Sequence, residues 1–535
     1  MGFIKSNIEK VTLFLLGLSF FIGIWHALPM LNVINDEMYF VGGVLRAMES
    51  HSILPVVNDV PYGTITYFLN YILFAVFLML ALPFFRFDLL KLKTFLVQSP
   101  EWAYLIPRFL SACLALIMLF LFYRFLKKEF EDKKVRLFLL ILLFTNIITA
   151  LILHTGKMWV LSTLLVILSF FYLYRALQGK DGDQRRLTRN ILLSILFSFL
   201  ALANFPLNLY SLINLPILFF FFRKDRKVCF AIIKYFIIGL VVFIIVTLTN
   251  FSGIKNQIIS VFTDFHPMVT ADQWSLSVLA KSFSLYFIKL IRLFPLLIIT
   301  LLLALKSKVR NRNLLVLSII YFIVNFVTIS VAANGAYLGL TSKLRYLFQL
   351  GFFLVLAIAS FDLKFSKKLY IIGGISLVYY IFTIYCLSVP TTYNQAYEWI
   401  KNNYGNQEIV IVNKTLGVQL QLPKNKKSYL LIDEKYCATK CLNTLEYDLN
   451  SDFKPVVIDE KSRETIDVFA LDKDLYFIES AATSSKKVQL VKFFGNKIND
   501  SLYYSVDSNM GNYFDLNYFK IKNLGSNIYI YKYQK

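Results

Sequence analysis

Two adjacent carboxylates, Asp36 and Glu37, stand just past the first long apolar run of the chain, Val11 to Met30. An ionisable side chain within a turn or so of a hydrocarbon boundary costs free energy unless it has a partner or a task. Four cations share that setting at the ends of later apolar runs: Arg108, Lys157, Lys343 and Arg345. A carboxylate can take a proton from a hydroxyl or amine, and Arg or Lys can hold a phosphate and stabilise the charge it gains as a bond to it breaks. Together they describe group transfer from a phosphate ester, with Asp36 as the base. Each residue also has a plainer reading. Asp36 and Glu37 are favoured in the first turn of a helix, and a cation at a bilayer surface reaches for lipid headgroups.

The elements that must position these residues are membrane helices. The chain has 535 residues, 57% hydrophobic and only 17% charged, with a mean hydropathy of +0.60. Such a balance belongs to a polytopic membrane protein. The net charge of +23 does not point to nucleic acid, because the Lys and Arg fall in short clusters between apolar runs, as in cytoplasmic loops. Lys5 and Lys10 precede the first run, which places the N-terminus in the cytoplasm and the Asp36–Glu37 loop outside. A crossing by the next run, residues 64–85, would put Arg124, Lys127, Lys128, Lys133, Lys134 and Arg136 on the outer side. That run is therefore expected to lie along the interface or to dip in and return, with Trp102 to Phe125 as the second span. Further spans are expected at about 137–153, 159–177, 190–204, 207–222, 228–249, 284–305, 314–333, 345–361 and 369–388, about eleven crossings in all. An odd count leaves the C-terminus outside.

Beyond Ser388 the composition turns polar. Residues 391–535 combine a helical pattern at Tyr393 to Asn403 with strand-like runs at 408–412, 428–432, 455–458, 475–478 and 528–531. They are expected to form a small extracytoplasmic α/β domain, residues 1–390 being the membrane domain. Cys113, Cys229 and Cys386 lie in or beside apolar runs and are expected to pack as small hydrophobes. Cys437 and Cys441 are spaced for a small disulfide loop if their domain lies outside, and two cysteines without histidine partners are a poor zinc site. No metal-ligand set and no cofactor are expected, and the sequence leaves a divalent metal requirement open.

Outside the cytoplasm no nucleotide sugar is at hand, so a glycosyl donor there must be carried on a polyprenyl phosphate. Its transfer needs a base for the acceptor and cations for the departing phosphate. The residues at this point resemble a family. The Asp36–Glu37 pair after the first span, the Pro/Tyr/Gly segment containing Tyr62, the run Ile106 to Ala112 and the run Lys343 to Tyr346 are similar to the GT-C membrane glycosyltransferases. Within these the similarity is to the dolichyl-phosphate-mannose protein mannosyltransferases and the bacterial enzyme that transfers aminoarabinose to lipid A. The resemblance covers about residues 10–390. It implies a catalytic acid at Asp36 with Glu37 beside it, a donor phosphate near Arg108, Lys157, Lys343, Arg345 and Tyr346, substrate contacts at Tyr62 and His154, and interfacial helices over the site. It also implies an inner or plasma membrane location, a polyprenyl-phosphate sugar donor, and a glycan, lipid or protein acceptor. One departure is that Lys157-Met158-Trp159 leads into Val160, Leu161 and Ser162, where many relatives carry a second Asp. A lipid-linked saccharide transporter or flippase, and a membrane-anchored binding or assembly protein, are the competing readings.

Overall fold

The first apolar run does not make one helix. In the computed structural model, which describes residues 2–29, 37–55, 63–179, 183–250, 276–332, 344–403 and parts of 409–533, α1 covers Gly2–Ser19. Residues 20–29 then wind as successive turns, with Gly23 at φ 90° and Ala27 at φ 66°. The expected span at 11–30 is thus displaced toward the N-terminus and broken. Gly23 carries no side chain to resist the turn, and a Cβ there would fall 2.9 Å from Leu387 Cβ.

Next in the chain, α2 (Glu37–Glu49) is followed by α3 (Thr64–Ala81), a 3-10 turn at Leu82–Phe85, α4 (Leu89–Gln98) and α5 (Glu101–Glu129). The bundle continues with α6 (Lys133–Phe144), α7 (Ile147–Leu153), α8 (Trp159–Gln178) and α9 (Gln184–Asn204). A 3-10 run at Pro206–Ile213 leads into α10 (Asn214–Phe222), then α11 (Arg226–Leu248), α12 (Leu276–Leu293), α13 (Pro295–Ala304) and α14 (Arg312–Ala332). A 3-10 turn at Leu344–Leu347 opens α15 (Phe348–Ile358), before α16 (Lys367–Ser388) and α17 (Thr392–Asn403).

Among the described residues seven helices are long and apolar enough to cross a membrane, or nine if each of two bent pairs counts as one span. The bent pairs are α6 with α7, at 66°, and α12 with α13, at 86°. Their breaks close on each other, because Asn146 caps Ile148 N–H and donates from Nδ2 to Leu293 O at 3.1 Å. The expected spans at 207–222 and 345–361 are shorter than full crossings: Pro206 forces a 3-10 start in one, and the other has eleven α-helical residues.

The segment 64–85 is one unbroken helical stretch of 22 residues, so it does not dip and return within itself. By length and hydropathy it is one of the seven helices able to cross a membrane, where the sequence suggests an interfacial or re-entrant segment. Phe85 packs at a tilt against Phe95, with ring centres 5.2 Å apart, and Phe95 likewise against Trp102 at 6.3 Å, which ties the end of this stretch to the first turn of α5. Its outer surface is apolar and exposed, with Ile72, Met79, Leu80 and Phe84 all open.

The core centres on α8, which is apolar on every face and packs against α5, α9 and α14. Where α8, α9 and the Pro206–Ile213 run meet, polar side chains bond to one another and to backbone carbonyls: Asn214 Nδ2 lies 2.6–3.1 Å from the Oγ atoms of Ser169, Ser194 and Ser198, Tyr321 donates to Asn214 Oδ1, and Asn208 Nδ2 donates to Ala201 O at 2.9 Å. Among the described cysteines, Cys113, Cys229 and Cys386 are free thiols, half-buried or buried within the helices; Cys437 and Cys441 lie outside the described residues.

The C-terminal part carries a mixed seven-stranded sheet of order β4-β3-β2-β1-β5-β7-β6. Its strands are β1 (Ile409–Val412), β2 (Lys427–Ile432), β3 (Val456–Ile458), β4 (Thr465–Ile466), β5 (Leu475–Glu479), β6 (Val488–Phe494) and β7 (Ile528–Tyr533). Five of these fall on the runs expected from sequence; β4 and β6 were not anticipated. In α17, Tyr393, Ala396 and Ile400 recur at helical spacing and are buried, as an amphipathic helix requires. Asn394 Nδ2 donates to Leu28 O at 2.9 Å and lies 3.3 Å from Ala27 O, fastening α17 to the turns that follow α1.

Candidate functional site

Glu37 opens α2, where an acid is expected to cap the helix, yet its carboxylate is turned into the bundle and is fully buried. Arg108, also fully buried, meets it from the second turn of α5: Nε lies 3.0 Å from Oε1 and Nη2 lies 2.7 Å from Oε2. Gly156 N–H donates to Oε1 at 2.6 Å. The remaining nitrogen of the guanidinium, Nη1, donates to Ile24 O at 2.9 Å and His26 O at 2.7 Å. One arginine therefore holds a carboxylate from α2 and two carbonyls released by the break after α1. A bidentate guanidinium suits this task because its donors are rigidly splayed.

The turn between α7 and α8 makes the third side. Gly156 sits so close to α5 that a Cβ would come within 2.9 Å of Pro107 Cβ, so glycine is the residue that lets its N–H reach Glu37. His154 is fully buried, its Nδ1 2.5 Å from Ala150 O and its Nε2 2.8 Å from Ile22 O. The Ile24 and His26 carbonyls are thus satisfied by a side chain from α5, and Ile22 O faces His154 Nε2, which is how backbone without helical bonds survives in a buried place.

Beside the clamp lies an aromatic wall. Trp159 contacts Phe205 at 4.8 Å and Tyr346 at 5.4 Å, and Arg345 Cζ stands 5.6 Å from the Trp159 ring and 5.5 Å from that of Tyr346. The geometry is that of a cation held over rings. Asn204, at the end of α9, locks the wall to α3: its Oδ1 accepts from Thr66 N–H and Oγ1, each at 3.0 Å, and its Nδ2 donates to Ser162 Oγ at 2.8 Å. Lys157 is buried in the same turn, between Gly156 and the wall.

The residues selected from sequence accordingly separate into three groups. Glu37, Arg108, His154, Lys157, Arg345 and Tyr346 gather at one end of the bundle. Within that group Arg108 directs its donors to Glu37 and to the Ile24 and His26 carbonyls. Glu37 is its buried partner. The ring nitrogens of His154 lie against the Ala150 and Ile22 carbonyls. Asp36, Tyr62 and Lys343 lie outside the described residues. The Ile22, Ile24 and His26 carbonyls were not anticipated, and Gly156, Trp159, Asn204 and Phe205 belong to short runs that the sequence marks as turns without giving them a role; Gly23 and Pro29 inside the first apolar run are the signal from which its opening could have been read.

Among the described residues no group of three or more His, Cys, Asp or Glu could hold a metal ion. No protein-family model matches the chain, and no curated protein matches its sequence.

Proposed function

We propose that the chain is a membrane glycosyltransferase that moves a sugar from a polyprenyl-phosphate-linked donor to an acceptor at the extracytoplasmic face, in the manner of the GT-C enzymes its motifs resemble. The observation that carries this reading is convergence: Lys157, in the α7–α8 turn, and Arg345, before α15, stand at the same end of the bundle as the buried Glu37–Arg108 pair that anchors the start of α2. Convergence of acids and cations from such distant parts of a sequence is costly in a membrane and is retained where it serves a reaction.

Asp36 precedes Glu37 in the chain, so a base at 36 is anchored through one peptide bond to a buried ion pair. In the proposed step Asp36 takes the proton of an acceptor hydroxyl or amine as that atom attacks the anomeric carbon. The bond from that carbon to the phosphate oxygen breaks, and its electron pair leaves with the phosphate. Lys157 and Arg345, with Lys343, neutralise the charge the phosphate gains. A single displacement inverts the anomeric centre. Tyr62 and Tyr346 serve the sugar and phosphate, and a set of membrane-crossing helices with an outer C-terminal domain completes the reading.

Purified protein with a panel of polyprenyl-phosphate sugars tests it. Asp36→Asn is expected to abolish transfer while leaving insertion and folding intact, and near-normal turnover would remove Asp36 as the base. Arg345→Ala should raise the donor concentration needed for half-maximal rate, and an unchanged response would remove its phosphate role. A carrier for lipid-linked saccharides is favoured by the two helix breaks, since unwound membrane helices build transport sites. Those breaks, however, seal against each other through Asn146 and Leu293. Donor-dependent sugar transfer in detergent, where no compartment exists, distinguishes the two.

A further inference from the structure

At the other end of the bundle the ends of α13 and α16 enclose a pocket of about 500 Å³ lined by Lys306, Lys308, Lys364 and Lys368, with Asp362 as its only acid. Its place is fixed by α5. Arg108 lies near the start of that helix and Glu129 at its end, about 30 Å apart at ~1.5 Å per residue, and Glu129 pairs with Arg310 on the rim of the pocket at 3.4 Å. That separation is about one hydrocarbon thickness. The pocket therefore faces the opposite membrane surface from the Glu37–Arg108 clamp.

Basic residues at this surface are ordinary topology signals. These four differ in being mounted on a cross-linked frame. Arg310 N–H and Asn311 N–H both donate to Ser360 O, at 2.9 and 3.0 Å, and Asp362 N–H donates to Lys308 O at 2.9 Å. Val309 and Phe361 form an antiparallel bridge between the two loops. Arg310 is committed to the frame: it reaches Glu129 and Ala359 O, and its Cζ lies 4.0 Å from the Phe130 ring centre. The lysines line the cavity instead. Four positive charges against one negative favour an anion with more than one charge. Immediately beside the pocket Leu302 and Leu305 are 58% and 57% exposed, an apolar surface on which acyl chains can lie.

We propose that this pocket binds the phosphate headgroup of a multiply charged anionic membrane lipid, its chains lying against α13. A free phosphate would share the headgroup chemistry but would make no use of the neighbouring apolar face. The test is native mass spectrometry of the full-length protein released from phosphatidylcholine nanodiscs doped with phosphatidic acid. The wild type should retain phosphatidic acid. Lys308→Gln with Lys364→Gln, and separately Lys306→Gln with Lys368→Gln, should each weaken retention about thirty-fold, from about five-fold per lysine near an anionic surface. Arg185→Gln with Arg189→Gln, removing equal charge from the exposed start of α9, should leave retention unchanged. Equal loss in that control would reduce the effect to general surface charge and overturn the pocket. If inorganic phosphate raises the melting temperature of the wild type but not of the lysine variants, while phosphatidic acid is not retained, the site takes soluble phosphate and the lipid assignment falls. Retention unaffected by the lysine substitutions overturns the proposal outright.

Discussion

Replacing Arg108 by lysine separates a clamp from a ligand. Lysine keeps the positive charge, so a phosphate contact made by charge alone would survive with a weaker affinity for donor. It cannot keep the geometry. The guanidinium makes two bonds to Glu37 at 2.7 and 3.0 Å and two to the Ile24 and His26 carbonyls at 2.7 and 2.9 Å, directed to opposite sides. An ammonium placed at the carboxylate leaves both carbonyls without their donor, and each unsatisfied buried group costs about 1–3 kcal/mol. The expected loss is therefore about 2–6 kcal/mol, enough to lower the melting temperature of the solubilised protein by many degrees. Arg108→Ala adds an unpaired buried carboxylate, for which breaking a buried pair costs about 3–5 kcal/mol. The combination Glu37→Gln with Arg108→Met should be milder than the sum of its parts, because neither partner is then left charged alone. Melting curves with and without donor lipid, together with donor titrations of transfer, give the readout. Wild-type melting in the Arg108→Lys variant, with only a raised donor requirement, would refute the clamp and restore Arg108 to the phosphate.

Two further outcomes follow from the same frame. Gly156→Ala should push the α7–α8 turn away from Pro107 and lengthen the Gly156–Glu37 bond, costing about 1–3 kcal/mol as overpacking does, and a melting temperature within about a degree of wild type would contradict the tight approach. Asn394→Ala should loosen α17 from the Ala27 and Leu28 carbonyls, with protease cleavage near residue 390 appearing earlier in a time course than in wild type; identical cleavage kinetics would show that the tie carries no weight.

The sequence by itself determined that this is a many-helix membrane protein with a polar α/β part at its C-terminus, because hydropathy, charge clusters and strand alternation are local properties. It also marked which charges were out of place, among them Glu37, Arg108, Lys157 and Arg345. It could not say what each charge touches. The first apolar run reads as one span, yet Gly23 and its neighbours open into turns whose stability depends on Arg108 and His154, more than eighty residues further on. Nothing local distinguishes an arginine that will hold carbonyls from one that will hold a phosphate; the partners come from other helices. In the same way 64–85 has the length and hydropathy of a crossing, and the packing of Phe85 and Phe95 beside the start of α5 comes from the tertiary structure. Composition fixes which solvent each segment prefers, whereas the directed bonds of buried polar groups depend on which segments the fold brings within about three ångströms of one another.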